Sequence, residues 1–448
     1  MKMYYQRIML LSALSLTINS INAQTKKITL KEALQLASKG NRQLQIQVLQ
    51  NQKMEEIVKE AKSFLLPTVS LNTTYSIYGE RPVIYLRNET AAQKVNDVKF
   101  GGRFVFDGNI IANYPIVNPV AKSNIRIEGF NQEIQKQETR NAEEQLALDI
   151  TQLYLTTLVT KERKALLEQS LRRNDRALKD SRSLFLQGKN LKTDTLSNYI
   201  SVQNLTAAIS ALNNNINVLS VQLKQLMGVE NNVQIEFTDS LSISIDEAMF
   251  QITSSGLAVA IDNRKDLKIQ SLILDQRKEQ LTGAKAEFKP QLSIVAQYQI
   301  QTQEDNLHFW NYGFPRTSFA GIRLNIPIYS GGRLKYRASQ SQIEIEKNEL
   351  AVIELKNRIQ TELISLSANL QEAYNQWQIQ KQNVEAAEIN YTMMNDRYRN
   401  GMGSRLELTD AELALTKAKL DNLHSIYTIR LAETELKKAL GILNLDMN

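Results

Sequence analysis

Between Val202 and Leu226 the apolar residues fall at Val202, Leu205, Ile209, Leu212, Ile216, Leu219, Leu223 and Leu226, in alternating steps of three and four. That rhythm keeps one stripe of a helix apolar and is the seam of a coiled coil. Val352, Leu355, Ile359, Leu363, Leu366, Leu370 and Trp377 draw a similar stripe farther along. No proline interrupts the chain between Val120 and Phe185 or between Leu334 and Tyr398. At about 1.5 Å per residue, each of these stretches predicts a helix of nearly 100 Å.

Elsewhere the period drops to two. "LSIVAQYQIQ" sets Leu292, Ile294, Ala296, Tyr298 and Ile300 against Ser293, Gln297, Gln299 and Gln301. "VSLNTTYSIY" opposes Val69, Leu71, Tyr75 and Ile77 to Ser70, Asn72, Thr74 and Ser76. "AGIRLNIPI" alternates in the same way around Arg323 and Asn325. Such strands have one apolar and one polar face. A soluble sandwich would show this too, but runs of about ten residues with aromatics near their ends fit a tilted membrane strand. Four strands are expected, at about 67–79, 100–117, 290–303 and 316–329. Four cannot close a barrel, and lipid tolerates no open sheet edge, so a barrel would have to be shared between chains.

The chain is also written twice. "ITLKEALQLA" at Ile28 is echoed by "ISIDEAMFQI" at Ile243, and "AKSFLLPTVSLNTTYS" at Ala61 by "AKAEFKPQLSIVAQYQ" at Ala284. Gly188 pairs with Gly401 and Gly228 with Gly441, both 213 positions apart. The expected division is a leader at 1–23, a first repeat at 24–228, a connecting segment at 229–254, a second repeat at 255–441 and a tail at 442–448. Each repeat runs from short helices through strands to a long helix, a glycine break and a return helix. Four of the seven prolines, at 67, 115, 290 and 327, sit at helix–strand seams, where a missing N–H does least harm.

Composition narrows the chemistry. The 448 residues contain no cysteine and two histidines, His308 and His424, which leaves no disulfide, no thiolate metal site and no histidine-rich centre. No metal or cofactor is expected, and an enzyme is the remotest reading. The opening "MKMYYQRIMLLSALSLTINSINAQ" has the basic start, short apolar run and small residue at Ala23 of a secretory signal. Its removal would lower the formal charge from +7 to +5, with no dense basic cluster for nucleic acid. No other segment is long and apolar enough for a membrane helix. Two readings remain from the residues themselves: a membrane channel built on shared strands, or a periplasmic or secreted coiled-coil scaffold without a pore.

The duplication, the turns "FLQGKNLKTDTLSNY" and "YRNGMGSRLELTDAE", the ends "LMGV" and "ALGI", and the proline-led strands inside helical halves together resemble the TolC family of outer-membrane efflux proteins. The resemblance implies an α+β membrane protein. Its long helices would form a periplasmic α-barrel, and its four strands would join a trimeric, twelve-stranded transmembrane β-barrel in the outer membrane of a Gram-negative cell. It implies a homotrimer in contact with outer-membrane lipid, partnered by a periplasmic adaptor and by an inner-membrane transporter of the RND, ABC or MFS type. The function implied is a passive exit duct for efflux or secretion, gated at its periplasmic tip.

By the same resemblance Asp194, Glu407 and Asp410 match pore-facing acids, with Glu407 a departure from the usual Asp. Lys192, Arg399 and Arg405 would be basic partners holding the gate shut. Phe185, Gly188, Lys189, Tyr398, Gly401 and Met402 would dock the adaptor. Without the resemblance, acids in a helix's first turn simply complement its dipole. The connecting segment and the C-terminal end would supply an equatorial belt. With seven residues after Gly441, the tail's share is expected to be small.

Overall fold

The computed structural model describes residues 26–84, 98–189, 191–241, 243, 255–308, 311 and 313–445. The leader and much of the connecting segment, including "ISIDEAMFQI", lie outside them. The described chain divides into two compact units. Residues 50–136 and 268–353 hold the main sheet; Met1–Leu49, Gln137–Leu267 and Glu354–Asn448 hold most of the helices.

In the sheet unit, β2 (Thr68–Ile77), β5 (Phe104–Val117), β7 (Gln291–Glu304) and β8 (Arg316–Asn325) form one antiparallel sheet in the order β2-β5-β7-β8. The register runs unbroken along β2, with Asn72 opposite Asn109 and Asn109 opposite Gln299. It shifts once, between Pro115 and Val117, where the proline cannot donate to the ladder. One face carries Val69, Leu71, Tyr75, Ile110, Tyr298 and Ile322; the other is mostly Ser, Thr, Asn and Gln. The apolar face is open, with Val69 71% and Ile322 73% exposed. Both outer strands, β2 and β8, are paired on one side only. The last ladder stops at Asn325, short of the expected 329, because Pro327 has no N–H to extend it. A short hairpin, β3 (Val83–Ile84) with β4 (Val98–Lys99), stands apart.

The helices repeat one order along the chain. Helices α1 (Leu30–Gly40) and α2 (Arg42–Ser63) precede the sheet, and α5 (Ser255–Asn263) and α6 (Lys265–Ala286) do so again. The long helices are α3 (Pro119–Leu186) and α7 (Arg333–Arg399), and the returning ones α4 (Lys192–Met227) and α8 (Arg405–Ala439). Thr29 starts α1 with a reciprocal cap: its hydroxyl accepts from Glu32 N–H, and Glu32 accepts from Thr29 N–H at 2.8 Å. Of the two stripes read from sequence, Leu219, Leu223, Ile359, Leu363 and Leu370 are buried; most of the others are half-buried.

The buried residues form two cores. The first gathers Ile28, Leu34, Ile150, Tyr154, Leu223 and Met227; the second Ala260, Ile359, Leu370, Ile429 and Leu436. Tyr154 pegs the first. Its hydroxyl lies 3.0 Å from Ile28 O and 2.9 Å from Asp239 Oδ2, and its ring meets Phe237 edge-on at 5.5 Å. Burial first, then Asp239, pushes its phenol well above the ordinary tyrosine range, so the hydroxyl stays protonated. Asp239 also accepts from Leu30 N–H at 2.8 Å. A parallel pair unseen in the sequence, β1 (Lys26–Ile28) with β6 (Ile235–Phe237), borders this core. From the tail, Leu443 and Leu445 are buried within this core.

The matched glycines at the helix ends explain why "LMGV" and "ALGI" recur. Gly228 and Gly441 take φ of 67° and 71°, a left-handed conformation costly for other residues. A Cβ on Gly228 would stand 1.9 Å from Gly40 O, and one on Gly441 2.8 Å from the Asn263 carbonyl carbon. Gly129, inside α3, has neither constraint. Gly228→Ala should destabilise the protein by more than about 2 kcal/mol, whereas Gly129→Ala should stabilise it by about 0.5–1 kcal/mol through helix propensity. Denaturant unfolding of the two variants in detergent checks the opposite signs.

Candidate functional site

Each long helix reverses through a glycine. Gly188 N–H donates to Phe185 O and Lys189 N–H to Leu184 O, both at 2.9 Å. Gly401 N–H donates to Tyr398 O at 3.1 Å and Met402 N–H to Arg397 O at 2.8 Å. Both are Schellman endings, with φ of 72° at each glycine. Nothing lies within 4 Å of either missing Cβ, so here glycine is required by conformation alone. The turns hold Phe185, Gly188, Lys189, Gly401 and Met402 exposed, with Tyr398 half-buried.

The three acids taken from the resemblance have different surroundings. Asp194 lies in the first turn of α4, half-buried, and Asp410 is exposed on α8. Neither is ion-paired among the described residues. Glu407 is engaged in the start of α8. It accepts from Ser404 N–H at 2.9 Å, while its own N–H donates to Ser404 Oγ at 3.2 Å. That is a capping box, a role the dipole argument had left open for it. Lys192 and Arg399 are exposed at the ends of α4 and α7. Arg405 stacks its guanidinium over the Tyr398 ring at 5.7 Å, within its own hairpin. No ion pair carries Arg405 to the other hairpin among the described residues.

Other residues join the hairpins, among them Thr156 and Tyr427, whose hydroxyls lie 3.2 Å apart. Arg173 on α3 donates to Thr416 Oγ1 on α8 at 3.2 Å and lies 6.0 Å over the Tyr391 ring on α7. Beside it Glu412 is 7% exposed. Glu412 Oε2, Arg173 Nε, and Arg405 Nε and Nη2 are all buried without a hydrogen-bond partner. Burial raises the Glu412 carboxyl above its ordinary range, opposed by the charges of Arg405 and Arg173. Burial and the nearby Glu412 charge raise the Tyr391 phenol. Three helices therefore meet on charged groups with unused hydrogen-bonding capacity. Glu412 also borders a cavity of about 700 Å³ between α3, α4 and α8. Its burial had a signal in the sequence: it follows Leu408 by four residues and precedes Leu415 by three, on the apolar face of α8.

The sign of the resulting pH dependence is fixed. Glu412's folded value lies above its unfolded one, so the folded chain binds this proton more tightly, and its contribution to stability declines as pH rises between the two. Glu412→Gln should flatten that part of the profile and leave the protein at least as stable near neutrality. Thermal unfolding at a series of pH values from about 4 to 7 compares the two proteins.

Residues 257–442 match the family model described as outer membrane efflux protein. Over 421 residues, 93% of this chain and 86% of the relative, the sequence is 20% identical to the outer membrane efflux protein BepC of Brucella suis. The fold is similar to the CmeC outer membrane channel of Campylobacter jejuni, with a TM-score of 0.74, 13% identity, and 94% and 87% of the two chains covered. It is similar also to the outer membrane protein VceC of Vibrio cholerae, with a TM-score of 0.72, 13% identity, and 92% and 96% covered. The family's pattern thus lies on residues 257–442, and over nine-tenths of its length the chain has the fold of these outer-membrane proteins.

Proposed function

We propose that this protein is the outer-membrane exit duct of an export system, conducting solutes passively while a separate pump supplies the energy. The observation that carries this reading is the four-stranded sheet, with one apolar and one polar face and two unpaired edges. Three copies, joined edge to edge, would close twelve strands into a barrel with the apolar faces toward lipid and the polar faces inward. Among the described residues no helix is long and apolar enough to cross a membrane, so the sheet is the part suited to the bilayer. A scaffold without a pore would explain the helices and leave the open apolar sheet face without a purpose.

The hairpin turns are the proposed entrance. Asp194 and Asp410, repeated in three copies, would make the entrance negative and favour cations, as charged rings do in other pores. The Arg173–Glu412–Arg405 cluster ties neighbouring hairpins and supplies contacts that can re-form when the entrance widens. The exposed apolar and glycine positions at Phe185, Gly188, Gly401 and Met402 suit docking by a periplasmic adaptor, beyond which an inner-membrane transporter would load the duct.

Reconstituted in planar bilayers, the purified protein should form ion-conducting channels, and in mild detergent it should run as a trimer. A monomer that stays soluble in plain buffer and never conducts would end the proposal. Asp194→Ala combined with Asp410→Ala should lower cation preference by about threefold or more at low salt. Unchanged selectivity would remove both acids from the entrance. Cysteines placed at Lys189 and Met402 should capture the adaptor by crosslinking in cells.

A further inference from the structure

We propose that Asp107 sets the charge preference of the sheet-lined part of the duct, as a cation-favouring residue separate from the entrance acids. The inference rests on the conduit reading above and adds a second selecting position to it. Asp107 lies on β5, on the polar face, opposite Thr74 of β2 and Gln301 of β7. The strand positions sharing that face from 68 to 76, 105 to 113, 291 to 303 and 317 to 325 carry two charged residues, Asp107 and Arg323. Arg323 pairs with Ser293, eight positions along β7 from Gln301, which is about 26 Å at a strand's rise. At the Asp107 end, Arg81 and Asp305 pair with each other at 2.8 Å. Arg103 continues the alternation four positions from Asp107, about 13 Å along the strand, so Asp107 is the one acid among the strand positions of this face.

The side chains around it are arranged toward its charge. Asn72 Nδ2 donates to Asn109 Oδ1 at 3.2 Å, and Asn109 Nδ2 donates to Asp107 Oδ1 at 3.0 Å. From the other side Gln297 Nε2 donates to Gln299 Oε1 at 3.4 Å, and the Gln299 amide donates to Asp107 Oδ2. Both chains of amides run donor-first and end on this carboxylate, three strands contributing. Hydrogen-bond chains of one sense polarise one another and hold their terminal acceptor in place. Amides are neutral, so they orient the carboxylate without cancelling its charge. Asp107 is half-exposed, which leaves room for an ion to approach the remaining lone pairs. In a closed assembly each copy would supply one such carboxylate at the same level, a negative ring on an otherwise amide-lined wall.

The test uses the full-length protein in planar bilayers, with Asp194→Ala and Asp410→Ala already in place so that the entrance acids do not contribute. Added Asp107→Asn should lower the cation-to-anion permeability ratio about threefold in ~0.01 M KCl, where the screening length is about 30 Å. The difference should shrink toward nothing in ~1 M KCl, where that length is about 3 Å. Equal effects at both salts would mean a structural role and overturn the inference, as would no effect at all. Asp107→Cys guards against a misfolded variant. The chain has no native cysteine, so a positively charged thiol reagent added to open channels should turn the preference toward anions, and a negatively charged one should restore it. Open channels insensitive to both reagents also refute the assignment while leaving the duct intact. If the unsubstituted protein forms no channel, the conduit reading falls and this inference with it.

Discussion

A peptide group buried in hydrocarbon must find its hydrogen-bond partner within protein, and that constraint governs this chain. The two outer strands are each ten residues long, so each edge leaves about five N–H and five C=O groups unpaired. At several kcal/mol per group in lipid, one edge would cost more than the whole stability of an ordinary domain. A lone copy therefore cannot place this sheet in a bilayer. Edge-to-edge closure removes the cost, and the alternation of apolar and polar residues then decides which face meets lipid. On the proposed reading, shared closure, lipid contact and a polar interior would all follow from the same unpaired edges.

The helical part obeys a different rule, repeated by duplication. In each repeat the long helix and the return helix both end on a glycine in left-handed geometry, for separate reasons. Gly188 and Gly401 end a long helix in open surroundings, where only φ matters. Gly228 and Gly441 end the return helix against the turn between two short helices, where a Cβ would collide with backbone. The first pair makes the hairpins possible; the second locks each hairpin to its own short helices. The two cores differ in their pegs: Tyr154 and Asp239 hold the first, with Leu443 and Leu445 added to it, and beside the second Arg264 donates to Ala439 O at 3.1 Å and pairs with Glu362 at 2.7 Å.

Charge is distributed unevenly along this frame. At the hairpin ends some acids cap helices, as Glu407 does, and others, as Asp194 and Asp410, have no ion pair among the described residues. Glu412 is drawn into the wall between two arginines that form no ion pair with it. On the sheet's polar face one carboxylate, Asp107, is held by amides and has no ion pair among the described residues. A group left without a counter-charge can act on a passing ion; one enclosed with arginines acts on packing instead.

Much of this was readable in advance. The periods of two and near 3.5, the doubled glycines and the proline seams are local properties, set by the residues themselves, and they fixed element type, duplication and the amphipathic faces. The families of sites were less legible. The β1–β6 pair and the burial of Leu443 and Leu445 depend on partners some 200 residues or more distant, which no local pattern encodes. The capping of Glu407, the burial of Glu412 beside Arg173, and the convergence of amides on Asp107 were likewise decided by tertiary structure. A side chain's partner is set by which strands and helices become neighbours, and periodicity names only the face on which that side chain will stand.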